Sequence, residues 1–421
     1  MNAKLLDDCF LHDKDRLLHA EALAILKERL RPVVGTEMVA LADAAGRIAA
    51  APVIAPRPIP AHNNAAVDGY AFAFADYDAV SGSRLKIGGR AAAGHALRDA
   101  LKPHEAARIF TGATMPEGAD TVIMQEDVTL TEAGADRLVD LPPGMKSGAN
   151  RRLAGEDVMA GQALLAAGDR LRPQDVAAIA AAGFGAVECF ARLKVAIISS
   201  GDEVIRPGDP FEPGKVYDSN APMLVTLARL AGADCVDLGV MPDNAEAVAR
   251  QLRDAASRFD VLITTGGASR GEEDHVVKTL DALGKLRMWQ LAIKPGRPMA
   301  FGQIGDCVVL GLPGNPVAVF VCFLLYAQPL IGALGGSAWR EPGRLSLPAA
   351  FSLGKRKTGR REFWRGRLVD GAVTKFERDG SGLITSLRDS DGLIEIAEDV
   401  PAVSEGDLVS FIPYTEFGIR H

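Results

Sequence analysis

Apolar positions along the chain keep three different rhythms, and each predicts a different architecture. From Leu193 to Gly335-Gly336, short apolar runs alternate with amphipathic stretches of helical spacing. Val195–Ser199, Cys235–Val240, Asp260–Thr265, Met288–Ile293, Met299–Phe301 and Cys307–Leu312 read as strands. Helices are expected from Asn220, as its cap, through Leu230, and from Asn244 to Ser257. Two more are expected over the periodic Val276, Val277, Leu280 and Leu283, and from Asn315-Pro316 through Leu325, where Gln328-Pro329 breaks the apolar run. Alternation of this kind needs right-handed crossovers and predicts a mainly parallel sheet with helices on both faces.

The flanking rhythms differ. Ala22, Leu23, Leu26 and Leu30 lie at helical spacing, and Pro32 ends that helix; a second short amphipathic piece, Ala42–Ala50, runs into the proline-rich stretch Pro52–Pro60, an extended connector and boundary. Asp68-Gly69 turns into a strand from Tyr70. Leu85–Gly89, Ala107–Phe110 and Thr121–Met124, separated by glycine turns, predict a small β-rich domain closed by Pro142-Pro143-Gly144. A charged, glycine-rich stretch holding Arg151, Arg152, Glu156 and Asp157 leads to an alanine-rich helix, Pro173–Ala182. After Gly336, the runs Leu345–Leu353, Glu362–Val369, Ala372–Phe376, Leu393–Ala397 and Asp407–Ile412 alternate like half-buried strands of a small β-barrel or sandwich.

In an open α/β sheet the ligand crevice lies beyond the carboxyl ends of the strands. Five loops follow successive strands here: Ser200-Gly201-Asp202-Glu203, Met241 to Asn244, Gly266-Gly267 to Asp274, Lys294 to Pro298, and Gly311 to Pro316. If they share one rim, carboxylates (Glu203, Asp243, Asp274), cations (Lys294, Arg297) and glycine turns converge. The charges then divide the work. Cations and helix starts face phosphate or another oxyanion, and the acids hold a hydrated magnesium ion that keeps them from repelling it. Taken singly, the 272–274 acids could simply cap a helix N-terminus.

Composition narrows the class further. The 421 residues are 48% hydrophobic and 24% charged, which suits a globular chain of two to four domains, and the net charge of −7 argues against a general nucleic-acid or membrane-surface binder. The start of the chain lacks the apolar core of a signal peptide, and the longest apolar run, Val317–Ala327, is too short to span a bilayer. Five scattered cysteines without a C-x-x-C pair read as reduced core residues of a cytosolic protein. The stretch G-K-R-K-T-G-R-R-E-F-W-R-G-R stands apart: its cations and aromatics could serve single-stranded nucleic acid, but a basic edge completing an oxyanion pocket fits the acidic remainder better.

The chain resembles the molybdopterin molybdotransferases, which insert molybdate into adenylylated molybdopterin and include the carboxyl-terminal domain of gephyrin. The resemblance rests on N-N-A-A-V-D-G-Y-A, I-F-T-G-A-T-M-P-E-G-A-D-T-V-I-M-Q-E, R-R-L-A-G-E-D, S-S-G-D-E-V, Y-D-S-N, T-T-G-G-A-S-R-G-E-E-D, L-A-I-K-P-G-R-P-M-A-F-G and G-L-P-G-N-P-V-A-V-F, in family order, with the weaker G-R-R-E-F-W-R-G and S-G-L-I-T-S-L after them. It implies a discontinuous linker domain (1–60 and 147–188), a β-rich domain (61–146), a MogA-like three-layer α/β domain that binds molybdopterin (189–336) and a C-terminal β domain (337–421). It implies a cytoplasmic homodimer with a shared active site, binding neither nucleic acid nor membrane, and handover partners in molybdopterin adenylylation and molybdoenzyme maturation.

By motif matching, Asp68, Thr111 and Asp157 would approach from the partner subunit. Glu203, Asp243, Asp274 and Lys294 would be catalytic, with magnesium on Asp243 and Asp274. Gly201, Asp202, Gly266, Gly267, Gly314, Asn315 and Pro316 would line the nucleotide cradle. Ser269, Lys294, Arg297, Arg360 and Ser386 would gather molybdate and phosphate oxygens. The chain departs from the family at Ala65, commonly Ser, at Ala268-Ser269-Arg270, commonly Val-Ser-Val, and at Arg297, frequently Lys. The neighbouring alternatives are adenylylation of molybdopterin by ATP and a non-catalytic, gephyrin-like scaffold.

Overall fold

Side chains on the strand Lys194–Ser199 alternate between two cores, which is what a sheet covered on both faces requires. Val195 and Ile197 join Ile263, Val308 and Leu310 on one face, against the helices Asn220–Leu230 and Pro316–Leu334. Ala196 and Ile198 join Leu262 and Val309 on the other, against the helix Ala245–Arg258. The result is a three-layer α/β/α unit. The structure, a computed structural model, describes residues 9–12, 14–241, 244–266, 278–279 and 282–420.

The central sheet has the strand order 234–240, 194–199, 261–265, 307–312, 298–304, 285–290. The first four run parallel, whereas 298–304 is antiparallel to both of its neighbours. Strand 285–290 is thereby turned back into the direction of the parallel set. The strand ends that precede the five predicted loops consequently share one rim, and the loop carrying Lys294 and Arg297 leaves the sheet there.

Two short segments sew this unit to its neighbours. Ile293–Lys294 pairs with Arg361–Glu362 and so becomes the edge of the C-terminal sheet, whose order continues through 361–369, 392–396, 408–413 and 345–348. Leu17 pairs with Leu291. The larger core accordingly runs without a break from Phe10 and the helix His19–Arg29 through the α/β unit to Phe363, Leu393 and Phe417. At the other end, Thr36–Ala40 pairs with Ala186–Phe190, Val53–Ile54 with Ala163–Leu165, and Asn64–Ala65 with Arg151–Arg152. Between these paired segments lies a six-stranded sheet of order 121–124, 69–72, 105–109, 83–91, 136–141, 129–133.

Three local expectations are corrected. Ala42–Ala50 is not helical: a short 3₁₀ turn, Leu41–Asp43, gives way to Gly46 at φ +80, a left-handed turn that a helix cannot contain. Asn220 is the first helical residue and not the cap; Asp218 accepts the amides of Asn220 and Ala221 at 3.1 and 3.0 Å. Asn315 and Pro316, by contrast, do stand at the cap and the first helical position, although the Asn315 side chain makes no cap bond. That helix does not stop at Gln328-Pro329. A π-helical segment, Phe323–Ala327, widens the turn ahead of the proline, which lacks an N–H, and the helix continues to Leu334. Its 19 residues are long and apolar enough to cross a membrane, contrary to the length expected, but 78% of the most apolar window is buried within the fold. Its side chains are the core.

Candidate functional site

The rim is assembled by backbone turns before any charged group enters. Gly266 has φ +99, and a Cβ there would lie 2.5 Å from the Ser200 carbonyl oxygen, so only glycine lets the loops after 261–265 and 194–199 touch. Gly314 faces it, with its Cβ direction 3.9 Å from the Gly266 Cα. Asn220 holds the pair together: its Nδ2 donates to Thr265 Oγ1 and to Gly314 O, both at 2.8 Å. Sequence reasoning gave this residue a capping role and missed the clamp. Its position opposite two glycine turns was the available signal.

Acids at this rim fall into two kinds. Asp218 is buried and fully engaged by Ser199 Oγ at 2.5 Å, by Arg206 at 3.1 Å and by the helix amides, while Arg206 also reaches Asp237. These two carboxylates are structural. Glu203 is exposed, beside Gly201, and no cation pairs with it among the described residues. Lys215 donates to the carbonyl oxygen of Asp202 and fixes the turn. Asp243, Asp274, Gly267 and Ser269, with Arg270, lie outside the described residues. Among the described residues no cluster of three or more acidic, His or Cys side chains is arranged for a metal ion.

Cations gather on the opposite side of the rim. The loop 294–297 lies between two adjoining cavities of about 320 and 270 Å³. Lys294 Nζ stands 4.3 Å from the centre of the Trp364 ring, a cation–π contact that aims it without neutralising it. Arg297 and Arg360 line the smaller cavity together with Arg16 and Lys357. Arg360 also donates to the buried Glu362 at 2.9 Å, and Arg356 is buried as the brace of this loop, bonded to the carbonyl oxygens of Ala397 and Arg360. Gly296, at φ +93, seats the loop against Cys322 of the core helix. The start of that helix is tied to the C-terminal domain by Val317 N–H, which donates to Ser381 O at 3.0 Å.

Ser386 is placed differently from the expectation. It is fully buried, donates to Leu383 O at 2.6 Å and accepts from Arg365 Nε at 3.0 Å. Its hydroxyl therefore positions Arg365, which lines the larger cavity, and has no path to a ligand. Far along the chain, Asp68 and Thr111 do meet: the Thr111 amide and hydroxyl both donate to Asp68 Oδ1 at 2.7 Å, and these bonds hold the carboxyl below its ordinary range. Asp157 is exposed in the loop that pairs with Ile59.

A three-layer domain with a glycine-lined, cation-rimmed crevice, stitched to β domains at both ends, defines the class of multidomain α/β proteins that take an anionic ligand at the carboxyl rim of the sheet. The chain matches the MoeA N-terminal region, domains I and II, over residues 18–183, a probable molybdopterin-binding domain over 196–333 and the MoeA C-terminal region, domain IV, over 348–414. It is 36% identical to the molybdopterin molybdenumtransferase of Haemophilus influenzae over 400 residues, covering 94% of this chain and 98% of that one. The corresponding protein of a Nostoc species is 35% identical over 388 residues, 88% and 87% of the two chains. The crystal structure of the molybdopterin biosynthesis MoeA protein from Pyrococcus horikoshii superposes with a TM-score of 0.81 at 29% identity, covering 95% of this chain and all of that one. The chain belongs to the molybdopterin molybdenumtransferase family.

Proposed function

We propose that the protein transfers molybdenum from molybdate to adenylylated molybdopterin with release of AMP. The observation that carries this reading is the paired rim: glycine turns at Gly266 and Gly314, held by Asn220, stand on the same rim of the sheet as the cations Lys294 and Arg297, which make no ion pair among the described residues. The glycine turns let backbone approach the nucleotide phosphates, and the cations hold a tetrahedral oxyanion beside them. Lys294, kept in place by Trp364, and Arg297, with its planar fork, offset the negative charge that builds as the anhydride opens. Arg360 closes the far wall, and Ser386 acts through Arg365.

Glu203, an exposed carboxylate without a cation partner among the described residues, is the donor chemistry that a divalent ion takes. In this reading Asp243 and Asp274 complete a magnesium site, and the ion supplies Lewis-acid polarisation of the phosphoanhydride. The protein works as a homodimer in the cytosol, with Asp68, Thr111 and Asp157 offered to the crevice of the partner subunit. Exposed apolar side chains in the segment after Glu203, among them Phe211 and, in the strand that pairs parallel with Val204–Ile205, Val216 and Tyr217, and at Leu153 and Met159, support burial against a second copy. Adenylylated molybdopterin, molybdate and magnesium together should give molybdate-dependent AMP release, and Asp274→Ala should abolish it with the melting temperature retained. Pyrophosphate release from ATP in place of AMP release, or wild-type turnover by Asp274→Ala, would refute the proposal.

A further inference from the structure

The N-terminal arm carries a cation into this site from outside the motifs quoted above and ahead of the matched region, which begins at residue 18. We propose that Arg16 is an oxyanion-binding residue of the crevice, contributed by the segment that precedes the first helix; the inference rests on the transferase reading. Five cations from three separate parts of the chain, Arg16, Lys294, Arg297, Lys357 and Arg360, line the cavity of about 270 Å³. Only Arg360 has a carboxylate, and it shares Glu362 with Arg356; the other four make no ion pair among the described residues. Unpaired like charges around one hollow repel each other unless an anion sits among them. In a chain of net charge −7, such a gathering does not reflect general basicity.

Arg16 is also held ready. The next residue, Leu17, is 1% exposed, its N–H donates to Gln290 O at 3.0 Å and its carbonyl accepts from Ala292 at 2.7 Å. Further back, Trp289 Nε1 donates to Phe10 O at 3.0 Å. Both anchors lie on the strand that feeds directly into the Lys294 loop, so the arm and the loop move as one piece. The entropy of placing the guanidinium is thus largely met by folding and not by binding. Nothing else in the fold uses this side chain: it is exposed and makes no hydrogen bond or ion pair among the described residues.

The ligand chemistry is a tetrahedral dianion, gripped through two oxygens by the guanidinium fork. Two sources share that chemistry, molybdate and the phosphoryl groups of the nucleotide. Calorimetric titration of the full chain with molybdate and, separately, with AMP distinguishes them. Arg16→Ala should weaken one of the two by about tenfold or more, at an unchanged melting temperature and with the other affinity retained. Arg16→Lys, which keeps the charge but loses the fork, should fall in between. Wild-type affinity of Arg16→Ala for both anions overturns the inference, as does a wild-type protein that binds neither. Loss of anion binding in Arg16→Ala, from a wild-type protein that releases no AMP, would leave Arg16 in place and remove the transferase reading. Normal AMP release with unaltered KM and unaltered anion binding in Arg16→Ala would do the reverse.

Discussion

His19 shows how one side chain ties the first helix to both neighbouring domains. It is buried, its Nδ1 lies 2.8 Å from Tyr326 Oη, and its ring stacks edge-on against Tyr326 and Phe363. Nε2 has no partner, so a proton gained there would be buried without an acceptor. Burial, joined by the Arg361 charge, lowers the imidazole from an ordinary 6.5 to about 4. The unfolded chain therefore binds a proton below pH 6.5 that the folded protein refuses until about pH 4, and stability falls as pH drops through that window. At pH 5 this single group costs about 2 kcal/mol. His19→Gln, which retains a hydrogen-bonding group for Tyr326, should shrink the loss of urea stability between pH 7 and pH 5 by that amount. Equal losses in the two proteins would show that the histidine does not set the slope.

At the scale of elements, the Lys294–Arg297 loop belongs to two domains at once, and its shape is fixed by a glycine. A Cβ on Gly296 would stand 2.1 Å from Cys322 Sγ, and φ +93 disfavours any other residue. Gly296→Ala should cost about 1–3 kcal/mol through strain and overpacking, and should move the cations enough to weaken molybdate binding. Undiminished molybdate affinity in that variant would mean that the loop need not be rigid. Strands and loops of this part were legible in the sequence because burial on both faces writes continuous apolar runs, as in Cys307–Leu312, and because strand ends carried glycine, Lys and Arg. Other elements were not. The strand Thr129–Ala133 lies at the sheet edge, mostly exposed, and so shows no clear alternation. The buried Ser386 carries a motif without touching the crevice, and Arg16 sits in a segment without periodicity. For Arg16 the deciding partners lie far away in the chain, where local pattern carries no signal.

At the scale of the whole molecule, the distribution of chemistry argues for a shared site. Asp68, half-buried, and the exposed Thr111 form a pre-bonded pair in the β-rich region, and among the described residues only Thr111 hydrogen-bonds the carboxylate. The crevice, in turn, has its cations and turns in place but offers only the neighbouring Asp202 and Glu203 as uncommitted acids among the described residues. If Asp68 serves the crevice of a second subunit, inactivating the two halves on different chains leaves one intact site in every mixed dimer. Asp68→Ala and Asp274→Ala proteins, each inactive alone, should on unfolding and refolding together recover about a quarter of wild-type AMP release, because about half of the dimers are mixed and each holds one working site of two. A site completed within one chain predicts no recovery at any mixing ratio. Sedimentation of the mixture, carried out alongside, separates failure to pair from failure to complement.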